Sequence, residues 1–150
     1  MGRLGWLLVV VVLGGASATI WQVMTPEPEG HVMTTPDMSR VDDGGAIVEV
    51  TVPDTLSDDA MIGMRAFEAN CAACHGSNAV GTKGKAPPLV HKIYEPNHHS
   101  DMAFLMAVQN GVRAHHWPFG NMPPIEGLTK GDVRYIAQYV RELQRANGIE

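Results

Sequence analysis

The sequence predicts an all-α domain folded around one large apolar group, and three observations carry that expectation. Three segments show helical apolar spacing with recognisable caps. The stretches between them, 76–98 and 111–128, are long and rich in Pro and Gly, which suits a chain that wraps a ligand better than one packed only on itself. A single run, Cys71-Ala72-Ala73-Cys74-His75, supplies groups able to hold such a ligand. At 150 residues, 45% hydrophobic and 18% charged, the chain has room for one globular domain and an appendage.

The appendage comes first. Leu4 to Met24 is a 21-residue stretch without a charge, long enough to cross a bilayer core as a helix, with Trp6 and Trp21 near its ends. Residues 1–24 are therefore expected to be a membrane anchor. Ala16-Ser17-Ala18 after the apolar run Leu4–Leu13 also fits a signal segment cleaved after Ala18. Either way the rest of the chain crosses the membrane, and Arg3 keeps the short N-terminal side cytoplasmic, which puts the following domain in the periplasm of a bacterial inner membrane.

Residues 25–57 read as an acidic, Pro/Gly-rich linker. The first 60 residues carry nine acids against Arg3 and Arg40, whereas residues 61–150 carry seven acids against nine Lys and Arg. The net charge of -5 thus belongs to the N-terminal part, and no basic patch of the kind that binds nucleic acid is present. Ala46 to Val52 alternates like a strand, free to lie along the domain or stay extended. His31, Met33 and Met38 are conceivable soft-metal ligands, but a solvated tether is the expectation here.

The domain proper, 58–150, opens with a helix capped by Ser57 or Asp58, whose apolar positions include Ile62, Ala66 and Phe67 and which ends at Cys71. A second helix spans about Ser100 to Asn110 and is closed by Gly111, with Met102, Leu105, Met106 and Val108 as packing positions. The third starts after Thr129, where Thr129 and Asp132 form a capping box, and ends at Asn147-Gly148; Val133, Ile136, Ala137, Val140 and Leu143 face inward.

The chemistry lies in Cys71-Ala72-Ala73-Cys74-His75. Two thiols separated by two residues and followed at once by His is the pattern of covalent c-type haem attachment, the thiols bonding the vinyl groups and His75 ligating iron. A redox C-x-x-C pair needs no adjacent His, and a zinc site would need a second cysteine pair that the two cysteines of this chain do not supply.

At this point the chain resembles the class I bacterial cytochromes c, over about residues 58–147. Gly63-Met64-Arg65-Ala66-Phe67-Glu68-Ala69-Asn70-Cys71 looks like the family's G-x-x-x-F-x-x-x-C helix, and Leu128 to Val140 looks like its C-terminal helix. The resemblance implies the class I fold, three main helices around one covalent haem c, with Gly63 and Phe67 meeting Tyr139 where the first and last helices cross. It implies Met122, in Gly120-Asn121-Met122-Pro123-Pro124 and 47 residues after His75, as second axial ligand, with His115 or His116 as the alternative. Helical methionines such as Met102 and Met106 are read as packing. It also implies that the carbonyl of Pro87 or Pro88, with Pro88 favoured, accepts the second N–H of His75, and that Gly76 makes the turn after the His.

His91, His98-His99 and His115-His116-Trp117 depart from the simplest members of that family. Surface or propionate-binding roles are expected of them, with copper as the rival. Trp117 and Arg113 are candidates to contact the haem or its propionates. The functional expectation is a one-electron carrier of a respiratory or other periplasmic redox chain, passing electrons between a donor and an acceptor protein. The alternative is a haem-containing subunit, enzyme or sensor with open or His-ligated iron, with or without copper at the extra histidines.

Overall fold

The computed structural model describes residues 34–150. The proposed anchor, 1–24, and residues 25–33 of the linker lie outside them. Among the described residues no helix is long and apolar enough to cross a membrane.

Four α-helices follow one another: α1 (Asp58–Asn70), the single turn α2 (Ala72–His75), α3 (Asp101–Asn110) and α4 (Lys130–Ala146), with 3-10 turns at Ser77–Ala79 and Lys92–Tyr94. No strand forms among the described residues, only isolated antiparallel bridges at Ala46–Thr82, Thr82–Ala86 and Val112–Met122. The all-α expectation holds. Caps fix the helix starts: Ser57 Oγ accepts from Ala60 N–H, and Thr129 and Asp132 complete a reciprocal capping box, removing orphan donors at each N-terminus. Ser100 also caps α3 by position, but its hydroxyl makes no capping bond.

The core is the crossing of α1 and α4. Gly63 makes the approach possible: a Cβ there would sit 1.8 Å from the backbone oxygen of Tyr135. One turn further along, the Phe67 and Tyr139 rings lie 5.7 Å apart, tilted by 59°, and both are fully buried. Gly63 therefore meets Tyr135, and Phe67 meets Tyr139. Ala60, Val90, Ile136, Val140 and Leu143 complete this cluster. All five positions expected to face inward on α4 are buried.

Two expectations need correction. Ile62 and Met102 are exposed rather than packed, because the buried stripe of α1 runs through Ala60, Gly63 and Phe67, and α3 buries Val108 and turns Met106 to the cavity between α1, α3 and the 111–125 loop. The described part of the linker is also no free tether: residues 33–150 form one compact unit. Ile47 and Val48 N–H donate to Val80 O, Gly44 N–H to Lys83 O, and Lys83 N–H to Gly45 O. Ile47 is buried against Ile93 and Trp117, with Met38 alongside. Thr51 and Asn147 exchange two bonds of 2.9 and 2.8 Å. The strand-like alternation of 46–52 is thus used as a strap, which gains apolar burial and backbone partners that a solvated linker would lack.

Candidate functional site

A cavity of about 610 Å³, in the range of sites for small organic ligands, opens between α1, α3 and the 111–125 loop. Cys71, Cys74, His75 and Met122 all line it. One wall is built by local helix geometry. Cys71 N–H closes α1 on Phe67 O at 2.7 Å, and Cys71 O then accepts from Cys74 and His75 N–H at 3.0 and 2.9 Å. One continuous helical run therefore carries both thiols and the imidazole. Burial pushes the free Cys71 thiol up to about 11, with Cys74 adding to the shift.

His75 Nδ1 lies 2.9 Å from Pro87 O and donates to it, which leaves the Nε2 lone pair available for a metal. Burial lowers the His75 pKa despite that carbonyl, keeping the ring neutral, as a ligand must be. The acceptor is Pro87, not Pro88. Pro88 is fully buried, and its nitrogen lies only 2.5 Å from where a Cβ on Gly81 would be. Packed there, it braces Pro87 instead of facing His75.

The opposite wall depends on pairing between distant segments. Val112 and Met122 exchange two backbone bonds of 2.9 Å, Asn121 Oδ1 accepts from Ala114 N–H at 2.9 Å, and Ile125 N–H donates to Val108 O at 2.8 Å. Gly111 permits the turn into this clasp: its φ is +73°, and a Cβ there would fall 2.5 Å from Met122 O. Along the paired segment Val112 and Ala114 line the cavity, while the intervening Arg113 is exposed and absent from its wall, as extended alternation dictates. A contact from Arg113 to a propionate would therefore be made outside the cavity wall. The Arg113 carbonyl accepts from His115 Nδ1 at 2.8 Å.

Trp117 does line the cavity, 7% exposed, and its buried Nε1 makes no regular hydrogen bond. Burial pushes the neighbouring Tyr94 phenol up, and the Trp117 indole partly offsets that. His91 stays apart, its Nδ1 accepting from Ile93 N–H and its ring edge-on to Trp117 at 5.4 Å. Sequence reasoning missed Arg141, which is buried and holds the site's frame. Its guanidinium bonds Asp101 Oδ1 at 2.8 Å, Tyr94 O at 2.7 Å, Gln144 Oε1 at 2.6 Å and His99 O, and it stacks 5.1 Å over Phe104. The signal was there: Arg141 lies one helical turn after Ala137, on the apolar stripe of α4, where a charge is tolerated only with partners.

A model of the family described as Cytochrome c matches residues 60–144. The chain belongs to the cytochrome c family. This cytochrome is 37% identical over 94 residues to the Cbb3-type cytochrome c oxidase subunit FixP of Bradyrhizobium sp. (strain ORS 278), over 61% of this chain and 30% of the relative. It is 38% identical over 87 residues to the Cbb3-type cytochrome c oxidase subunit CcoP of Rubrivivax gelatinosus, over 57% of this chain and 26% of the relative. The match thus spans less than a third of these relatives' length. The family carries covalently bound haem c and transfers electrons, and so does this cytochrome. The residues fit that group: two thiols, a neutral oriented imidazole and a thioether share one apolar-walled cavity.

Proposed function

We propose that the cytochrome is a one-electron carrier whose haem c is attached through Cys71 and Cys74 and ligated by His75 and Met122. Haem supplies the reversible one-electron couple. The chain supplies the rest: His75 is oriented by Pro87 O, and Met122 is held by its backbone exchange with Val112. That exchange is the observation that carries the reading, because a residue fixed through both its N–H and its C=O gives the same axial geometry in either oxidation state. His115 and His116 also line the cavity, so the test of Met122 is run with and without them. Nothing in this arrangement requires a catalytic base or nucleophile.

We extend the proposal to the whole chain: residues 1–24 anchor it in the bacterial inner membrane, the domain works in the periplasm, and it exchanges electrons with donor and acceptor proteins. The naming of both relatives as oxidase subunits supports a respiratory partner on the membrane.

A thioether favours ferrous iron and closes the site to small ligands. Met122→Ala should lower the midpoint potential by on the order of 100 mV, abolish the weak near-infrared band of Met–iron ligation, and open the ferrous protein to carbon monoxide. The same change in a His115→Ala, His116→Ala background removes histidines able to step in. A wild-type protein that already binds carbon monoxide rapidly, with spectrum and potential unmoved by Met122→Ala, would overturn the ligand assignment and with it the carrier reading.

A further inference from the structure

The two histidine pairs, 16 residues or more apart in sequence, converge. His98 Nε2 and His116 Nε2 are 3.3 Å apart, and one ring nitrogen from each of His98, His99 and His116 lies within 4.8 Å of the other two. Two nitrogens at 2.0–2.1 Å from one ion stand about 3.3–3.4 Å apart in a tetrahedral site and about 2.8–3.0 Å apart as cis ligands of a tetragonal one, so the first pair is at or close to ligand spacing. A small closure brings in the third.

We propose that His98, His99 and His116 form a divalent transition-metal site at the rim of the haem cavity, taking Cu(II) in preference to Zn(II). Two further observations bear on it. His99 Nδ1 donates to Ile93 O at 2.6 Å, which fixes the tautomer and leaves Nε2 with its lone pair, the orienting bond that ligating histidines make. His99 is also held through its carbonyl by Arg141, whose charge is paired with Asp101 at 2.8 Å, so the ring rests on a braced backbone. An all-imidazole set without thiolate suits borderline ions, among which Cu(II) binds most tightly. Three protein ligands leave a coordination position open. His99 and His116 line the cavity while His98 is exposed outside it, so the ion would sit between haem and solvent.

The test uses the untagged full-chain holoprotein, stripped with chelator and titrated calorimetrically with Cu(II), then separately with Zn(II). One equivalent of each should bind, copper more tightly, and electron paramagnetic resonance of the copper form should show splitting from several imidazole nitrogens. His98→Ala and His116→Ala should each weaken binding by on the order of tenfold or more, and His98→Ala, outside the cavity, should leave the visible haem spectrum intact. His91→Ala should change nothing. Absence of stoichiometric binding, or binding untouched by both His98→Ala and His116→Ala, would overturn the proposal, the latter by locating the ion elsewhere on the chain.

Discussion

The two walls of the cavity are built on different principles. The His75 wall is local: Cys71, Cys74 and His75 lie within one helical run, and only Pro87 O comes from outside it. The Met122 wall is assembled from ends, with α3 finishing at Gly111 and the returning loop pinned to Val112, Ala114 and Val108. A local wall survives damage elsewhere in the fold. An assembled wall is only as good as each of its pins, and the two can be separated by mutation.

The largest effect is expected on the local wall. Replacing both Cys71 and Cys74 with Ala should leave a chain that releases all its haem on denaturation, read by haem stain on a denaturing gel. It should also fold poorly without its bound group, since ligand binding to the native state alone stabilises it. Normal folding of that double variant without haem would break the idea that the cavity is completed by its cofactor.

Next in size is Gly111→Val, which meets both the positive φ and the 2.5 Å approach to Met122 O. It should cost on the order of 3 kcal/mol. Haem should stay covalently attached, while the Met–iron band is lost and carbon monoxide binding rises. Loss of attachment as well would show that the walls are not independent. Asn121→Ala, removing one bond to Ala114 N–H, should cost about 1 kcal/mol and raise the carbon monoxide on-rate only slightly.

The smallest effect lies away from both walls. Ser57→Ala removes the α1 cap and should cost about 1 kcal/mol, with the haem spectrum unchanged. Partial burial works to raise the Glu142 pKa, but bonds from Ser57 outweigh it, so the carboxyl sits below the ordinary carboxylate value. A depressed carboxylate stabilises the fold above its unfolded pKa and loses that contribution as pH falls through the folded one. Acid unfolding of the wild type below about pH 4.5 should therefore be less steep in Ser57→Ala.

The contrast also explains what could be read in advance. The attachment run, the capping box of Thr129 and Asp132 and the inward face of α4 are local patterns, and each was legible. The choice between Pro87 and Pro88 was not, because it turns on how tightly Gly81 packs against Pro88. Arg113 looked like a cavity residue because its sequence neighbours are; one-residue alternation in the pairing with Met122 turns it out to solvent. The histidine pairs were visible as pairs, but their meeting depends on two loops folding onto each other. The strap was the largest miss: its Pro, Gly and acidic residues outweighed the alternation of 46–52, which alone signalled docking.

That strap has a mechanical side. Thr51 and Asn147 are clasped across 96 residues of sequence, which brings the start of the domain to its C-terminal helix. A pull on the chain ahead of residue 51 is delivered to the end of α4 through that clasp, and to residues 80–83 through the strap's backbone bonds. Both sides of the cavity lie one step along that path: Gly81 N–H donates to His75 O at 2.6 Å, and Ile47 of the strap packs on Trp117 of the 111–125 loop. Tension from the N-terminal side is thus passed toward both walls of the cavity.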